Sequence, residues 1–134
     1  MKTYFLCLLL FVATFSSCKK DNVNNGIIGK WKLIEVYDGY ANGGNFQWNN
    51  ISNDYSHSLE FSENGQYLRQ ENINGNNQQC IGTYILQTDN NLEINSNCNT
   101  AIEKMKISEL TTTILIIDRQ VIEGKIRYKY TTIN

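Results

Sequence analysis

One hairpin constrains this chain more than any other stretch, because two independent signals choose the same register for it. Placing Asp89 at the apex sets Leu86 opposite Leu92, Tyr84 opposite Ile94 and Gly82 opposite Ser96, which gives one face an apolar row. The same register sets Cys80 opposite Cys98. Directly opposed residues of an antiparallel pair have Cα atoms about 4.5–5.5 Å apart, within reach of a disulfide. The reverse face, Ile81, Thr83 and Ile85 against Glu93, Asn95 and Asn97, is more polar and reads as outward.

The rest of the chain repeats the two-residue period. Trp31 and Leu33 share a face of a strand that begins at Gly29, with Lys30 and Lys32 opposite. The mixed Ile34-Glu35-Val36 continuation predicts a bulge or burial on both sides. Leu59 and Phe61 run into Glu63-Asn64-Gly65, and a tight loop there puts Phe61 opposite Tyr67 and Leu59 opposite Arg69. Met105 and Ile107 alternate with Lys104 and Lys106, and Ile126, Tyr128 and Tyr130 with Lys125, Arg127 and Lys129. Between them Ile114-Leu115-Ile116-Ile117 is apolar on both faces, so Ile114 and Ile116 form an outer row that is either covered or a docking surface. The chain has no proline and 19 asparagines, and asparagine supplies turns because it tolerates left-handed backbone. Eight short strands joined mostly by tight turns, with no helical period, define an all-β chain. An eight-stranded up-and-down antiparallel barrel closes every edge and leaves room for side chains or one small ligand.

The N-terminus reads differently. Met1-Lys2-Thr3 precedes an apolar run over residues 4–14 and small residues after it, the form of a secretory signal. The run is shorter than the roughly 20 apolar residues of a membrane span. Phe15-Ser16-Ser17-Cys18 resembles the bacterial lipoprotein signal, in which the cysteine is acylated and becomes the new N-terminus. On that reading residues 1–17 are the signal peptide, 18–27 a lipidated polar tether, and 28–134 the barrel domain, with Cys18 the lipidation site. The expected location is the cell envelope, anchored in the outer membrane. Losing residues 1–17 removes Lys2 alone among the charged residues, which leaves 11 Lys and Arg against 13 Asp and Glu. That near balance argues against a nucleic-acid partner. Cys80 and Cys98 are then the two cysteines left to form a structural bridge in an oxidising compartment.

Gly29-Lys30-Trp31, the Phe61, Asn64-Gly65 and Tyr67 hairpin, Gly82-Thr83-Tyr84, Leu92-Glu93-Ile94 and Leu110-Thr111 with Leu115 and Ile117 follow one another over residues 28–134. In that order and spacing the chain resembles the small lipocalin-like lipoproteins of Bacteroidetes. The resemblance implies a barrel that binds a small hydrophobic or amphipathic ligand, with Gly29 and Trp31 as structural residues and Trp31 plugging the closed end. In larger lipocalins a basic side chain near the last strand stacks on this ring. Here Arg127 faces outward and Arg119 is the nearest substitute.

Candidate ligand contacts fall into two groups. Residues 38–56 form the longest irregular stretch and carry Tyr40, Phe46, Trp48 and Tyr55, either packed on the domain end or lining a ligand mouth. Tyr67, Tyr84, Tyr128 and Tyr130 point inward, where they contact a ligand or fill a narrow barrel themselves. Arg69 falls on the same face, and a buried arginine needs a partner or an opening. A metal site would want more His or Cys than the chain offers, and no cofactor is expected. No catalytic residues are expected either: His57 is the lone histidine and reads as a surface residue, and no Ser–His–Asp set or close carboxylate pair stands out. The alternative to ligand binding is an interaction or inhibitor module that uses the outside of the barrel, its protein partner unspecified.

Overall fold

The computed structural model describes residues 24–133, so the signal peptide, Cys18 and most of the expected tether lie outside the described residues. One helical turn, α1 (Asn24–Ile27), leads into nine antiparallel strands: β1 (Gly29–Tyr40), β2 (Trp48–Asn50), β3 (Tyr55–Phe61), β4 (Gln66–Ile73), β5 (Asn76–Leu86), β6 (Asn91–Ser96), β7 (Glu103–Leu110), β8 (Ile114–Val121) and β9 (Gly124–Ile133). Eight of them, β1 and β3 to β9, close in chain order into an up-and-down barrel, because β1 pairs with β3 along one edge and with β9 along the other. The ninth, β2, continues the stave that β3 begins. β3 covers Gly29 to Lys32 of β1, and β2 covers Glu35 to Tyr37.

The hairpin register holds. Tyr84 pairs with Ile94 and Leu86 with Leu92, and the Cys80–Cys98 disulfide forms across Cα atoms 5.5 Å apart. Gly82 is required there, since a Cβ at that position would stand 2.0 Å from the Asn95 carbonyl oxygen. Phe61 pairs with Tyr67 and Leu59 with Arg69. The expected irregularity in β1 is a bulge between Leu33 and Glu35, which turns Val36 inward and Tyr37 outward beyond it.

Two expectations are corrected. The tether does not run to residue 27: Ile27 is fully buried, and its carbonyl accepts the Trp31 indole N–H at 2.8 Å. α1 thus caps the end that Trp31 fills, and Gly29, with φ of 135°, makes the turn from cap to strand. Residues 38–56 are not one irregular stretch, because β1 runs on to Tyr40 and β2 folds back along it. Trp48 drives that pairing by packing on Tyr37, with ring centroids 5.5 Å apart. Of the two readings of the outer β8 row, Ile116 fits the covered one, at 8% exposure between its register partners Glu109 and Lys129, while Ile114 is half-buried.

The core is graded along the barrel axis. Trp31, Phe61, Leu92, Ile94 and Leu115 fill the closed end, with the Phe61 ring 5.0 Å from Tyr84 and 5.6 Å from Tyr67. The bridge ties β5 to the chain just beyond β6, above this packing. Reducing it in otherwise native buffer is expected to cost about 3 kcal/mol by the loop-closure model. Urea unfolding with and without reductant measures the cost, and a Cys80→Ala, Cys98→Ala double variant should reproduce it.

Candidate functional site

Above the apolar floor the inward positions change character. Strand alternation aims Tyr55 and His57 of β3, Arg69 and Glu71 of β4, Glu103 and Met105 of β7, Arg119 of β8, and Tyr128 and Tyr130 of β9 into one space. That space is a cavity of about 160 Å³. At about 30 Å³ per water it holds about five waters, and it is smaller than the roughly 300–1,000 Å³ of a drug-sized pocket. Two broader hollows, of about 680 and 750 Å³, lie near Lys32 and Gln70 and beside Trp31 at the closed end. Both are more open to solvent, and neither gathers both arginines and both glutamates.

Arg69 organises one wall. Its Nε lies 3.4 Å from Glu71 Oε1, close enough to pair charges but without the alignment of a hydrogen bond, and its Nη2 donates to Cys80 Sγ at 3.2 Å. His57 sits beside this pair, with Nδ1 3.3 Å from the Tyr55 hydroxyl and 3.9 Å from Glu71. Burial, and then the neighbouring Arg69 charge, lower its pKa to about 4, so the imidazole is neutral near pH 7. When the Tyr55 hydroxyl donates to Nδ1, the ring's own proton sits on Nε2, and Nε2 has no hydrogen-bond partner in the protein. Burial also raises the Tyr67 and Tyr130 phenols, which therefore stay protonated. The wall across the barrel is built from β7 and β8, where Glu103 and Arg119 make no ion pair among the described residues.

Of the residues expected to contact a ligand, Tyr55, Tyr67, Arg69, Tyr128 and Tyr130 line the cavity. The other four do not. Trp48 lies on the outer wall, with the Lys129 ammonium 5.5 Å from its ring centre, and Lys129 also pairs with Glu35. Phe46 is 57% exposed in the β1–β2 loop, and Tyr40 borders a shallow hollow with Val121 and Ile122 at the tip of the tallest wall. Tyr84 belongs to the closed end, where its hydroxyl donates to the Ser62 carbonyl at 3.0 Å. His57 is also corrected: it is buried rather than on the surface, because β3 alternation carries it inward with Leu59 and Phe61. The sequence reading missed His57, Glu71, Glu103, Met105 and Arg119 as lining residues. Running the Tyr67-Arg69 period on by two residues would have found Glu71, and running the Met105-Ile107 period back by two would have found Glu103.

The fold and the cavity together define a lipocalin-like barrel. No protein-family model matches the sequence, and no curated protein does either. Among solved structures the chain is similar to a lipocalin-like protein from Bacteroides uniformis, with a TM-score of 0.60 and 15% identity over 81% of this chain and 99% of that one. At that identity the likeness concerns the fold.

The buried imidazole generates a pH prediction. Its pKa is lower folded than unfolded, so its contribution is fully present above about pH 6.5 and is lost as pH falls toward 4. By pH 4.5 the loss is expected to be about 2–3 kcal/mol. Subtracting the unfolding free energies of a His57→Gln variant from those of the wild type at pH 7 and pH 4.5 isolates this share from the carboxylates.

Proposed function

We propose that the protein is a lipid-anchored binding module of the cell envelope, one that holds a single small amphipathic molecule inside its barrel. The observation that carries this reading is the convergence of Arg69, Glu71, His57 and Arg119 with tyrosine hydroxyls on a space floored by Leu59, Met105 and Ile117. Buried polar groups need partners, and a pocket with a few convergent polar groups is where a ligand supplies them. Of the hydrophobic and amphipathic ligands expected from sequence, the amphipathic kind suits this lining, with its apolar part on the floor and its polar part among the charges. A long acyl chain does not suit about 160 Å³. The role proposed is capture rather than catalysis, and it calls on no metal or cofactor.

The anchor supports an orientation. α1 lies at the closed end, beside Trp31. Cys18 precedes Asn24 by six residues, which span at most roughly 20 Å. A lipid on Cys18, in the outer membrane as proposed, would therefore hold the closed end toward the bilayer and turn the mouth away from it.

Two experiments test the parts separately. Native mass spectrometry of protein purified from its own envelope should show a small-molecule adduct that is reduced in Met105→Trp, a substitution that narrows the cavity. Equal adduct in both would place the ligand elsewhere, and none in the wild type would contradict capture. Metabolic labelling with a palmitate analogue should mark the wild type and fail in Cys18→Ser. Labelling of both would remove the anchor from Cys18.

A further inference from the structure

The cavity's charges narrow the ligand class, an inference that rests on the binding reading above. Its lining carries two cationic side chains, Arg69 and Arg119, and two carboxylates, Glu71 and Glu103, while His57 is neutral. Arg119 is exposed and Glu103 half-buried, so the cost of an uncompensated charge falls on the inner Arg69–Glu71 pair, which a ligand with net charge would unbalance. A net-neutral ligand avoids that cost.

Neutrality alone would admit a sugar, and the distribution of partners favours something more polar. Arg69 and Glu71 already compensate one another on β4. Glu103, half-buried, and Arg119, exposed at the mouth, make no ion pair among the described residues, so this wall offers one charge of each sign. The His57 side chain is 9% exposed and lines both this cavity and the hollow near Lys32, and its Nε2 is a buried position without a partner among the described residues, suited to donate to an anion. The floor of Leu59, Met105 and Ile117 would cover an apolar substituent of a few carbons. Separate positive and negative partners, a spare imidazole donor and a short apolar floor fit one compact class.

We propose that the cavity binds a free amino acid with an apolar side chain, its carboxylate toward Arg119 and the His57–Arg69 wall, its ammonium toward Glu103, and its side chain against Met105 and Ile117. The opposed charges of such a zwitterion match the unpaired charges of the site, and each charge-assisted hydrogen bond is worth about tenfold in affinity.

Isothermal titration of the full chain with L-leucine, leucinamide, N-acetyl-leucine, glucose and palmitate tests this. Leucine is expected to bind. Leucinamide lacks the carboxylate and N-acetyl-leucine lacks the ammonium, so each should bind at least about tenfold more weakly. Arg119→Gln and Glu103→Gln should each weaken leucine by about tenfold, with unchanged circular dichroism to show that the barrel persists. Binding of glucose or palmitate without leucine would overturn the ligand class and leave the binding module standing. Leucine binding that neither variant weakens would overturn the site assignment. Binding of none of the probes would overturn the amino-acid class, and the adduct experiment above would then decide separately whether the barrel captures any ligand.

Discussion

The pairing of β1 with β9 is the constraint on which the rest depends. Ten residue pairs, from Lys30 with Ile133 to Tyr40 with Gly124, join the first strand to the last. Without them the eight staves are an open sheet with two exposed edges, and the inward residues have no opposite wall. The bulge after Leu33 lets β1 serve β9 and still hand its other edge from β3 to β2. On the outside of β9, Glu35 takes Lys129 across this seam, with the ammonium also over Trp48, while Asp118 takes Lys125 and Arg127 on the β8 side. Such half-exposed pairs are worth little singly. Their use here is to hold the outer face of β9 in register with both of its neighbours.

Closure has a chemical consequence at each end. At the closed end α1 and Trp31 replace water with packing, and the indole N–H is satisfied by the Ile27 carbonyl. No cation from the last strand is needed to complete that plug. Arg119 belongs to the opposite end, where it faces Arg69 and Glu71 across the cavity. The same alternation that buries Ile117 therefore delivers a charge two residues later. The barrel is dry at one end and polar at the other because β4, β7 and β8 each change from apolar to charged side chains along one face.

The local pairings were legible in the sequence, and the contents of the cavity were only partly so. The 80–98 hairpin could be registered because its apolar row and its cysteines agree, and the Phe61–Tyr67 turn because Asn64-Gly65 dictates its geometry. Periodicity assigns a face, however, and polar residues on an inward face look like the end of a pattern. Glu71, Glu103 and Arg119 were overlooked for that reason. His57 looked exposed because a lone histidine beside a long loop usually is, and only the closed barrel shows that its alternation with Leu59 places it inside. Residues 38–56 looked like one irregular stretch because they are rich in Asn and Gly. Trp48 instead has a cross-strand partner in Tyr37, which no local pattern reveals. The cap at α1 was hidden by composition, since Asn-Asn-Gly-Ile reads as linker until Ile27 is seen against Trp31.

Closure is also the most directly measurable feature. Amide hydrogen exchange followed by NMR reports each strand's pairing separately, because unpaired edge amides exchange far faster than laddered ones. The barrel requires amides of β1 to be protected on both sides of the Leu33–Glu35 bulge, and those of β9 through Tyr130, to a degree comparable with the bridged β5–β6 hairpin. Rapid exchange of the β9 amides directed at β1, with those directed at β8 and the β5–β6 hairpin still protected, would mean an open sheet with no enclosed cavity, and would contradict the structure at the point on which everything else rests.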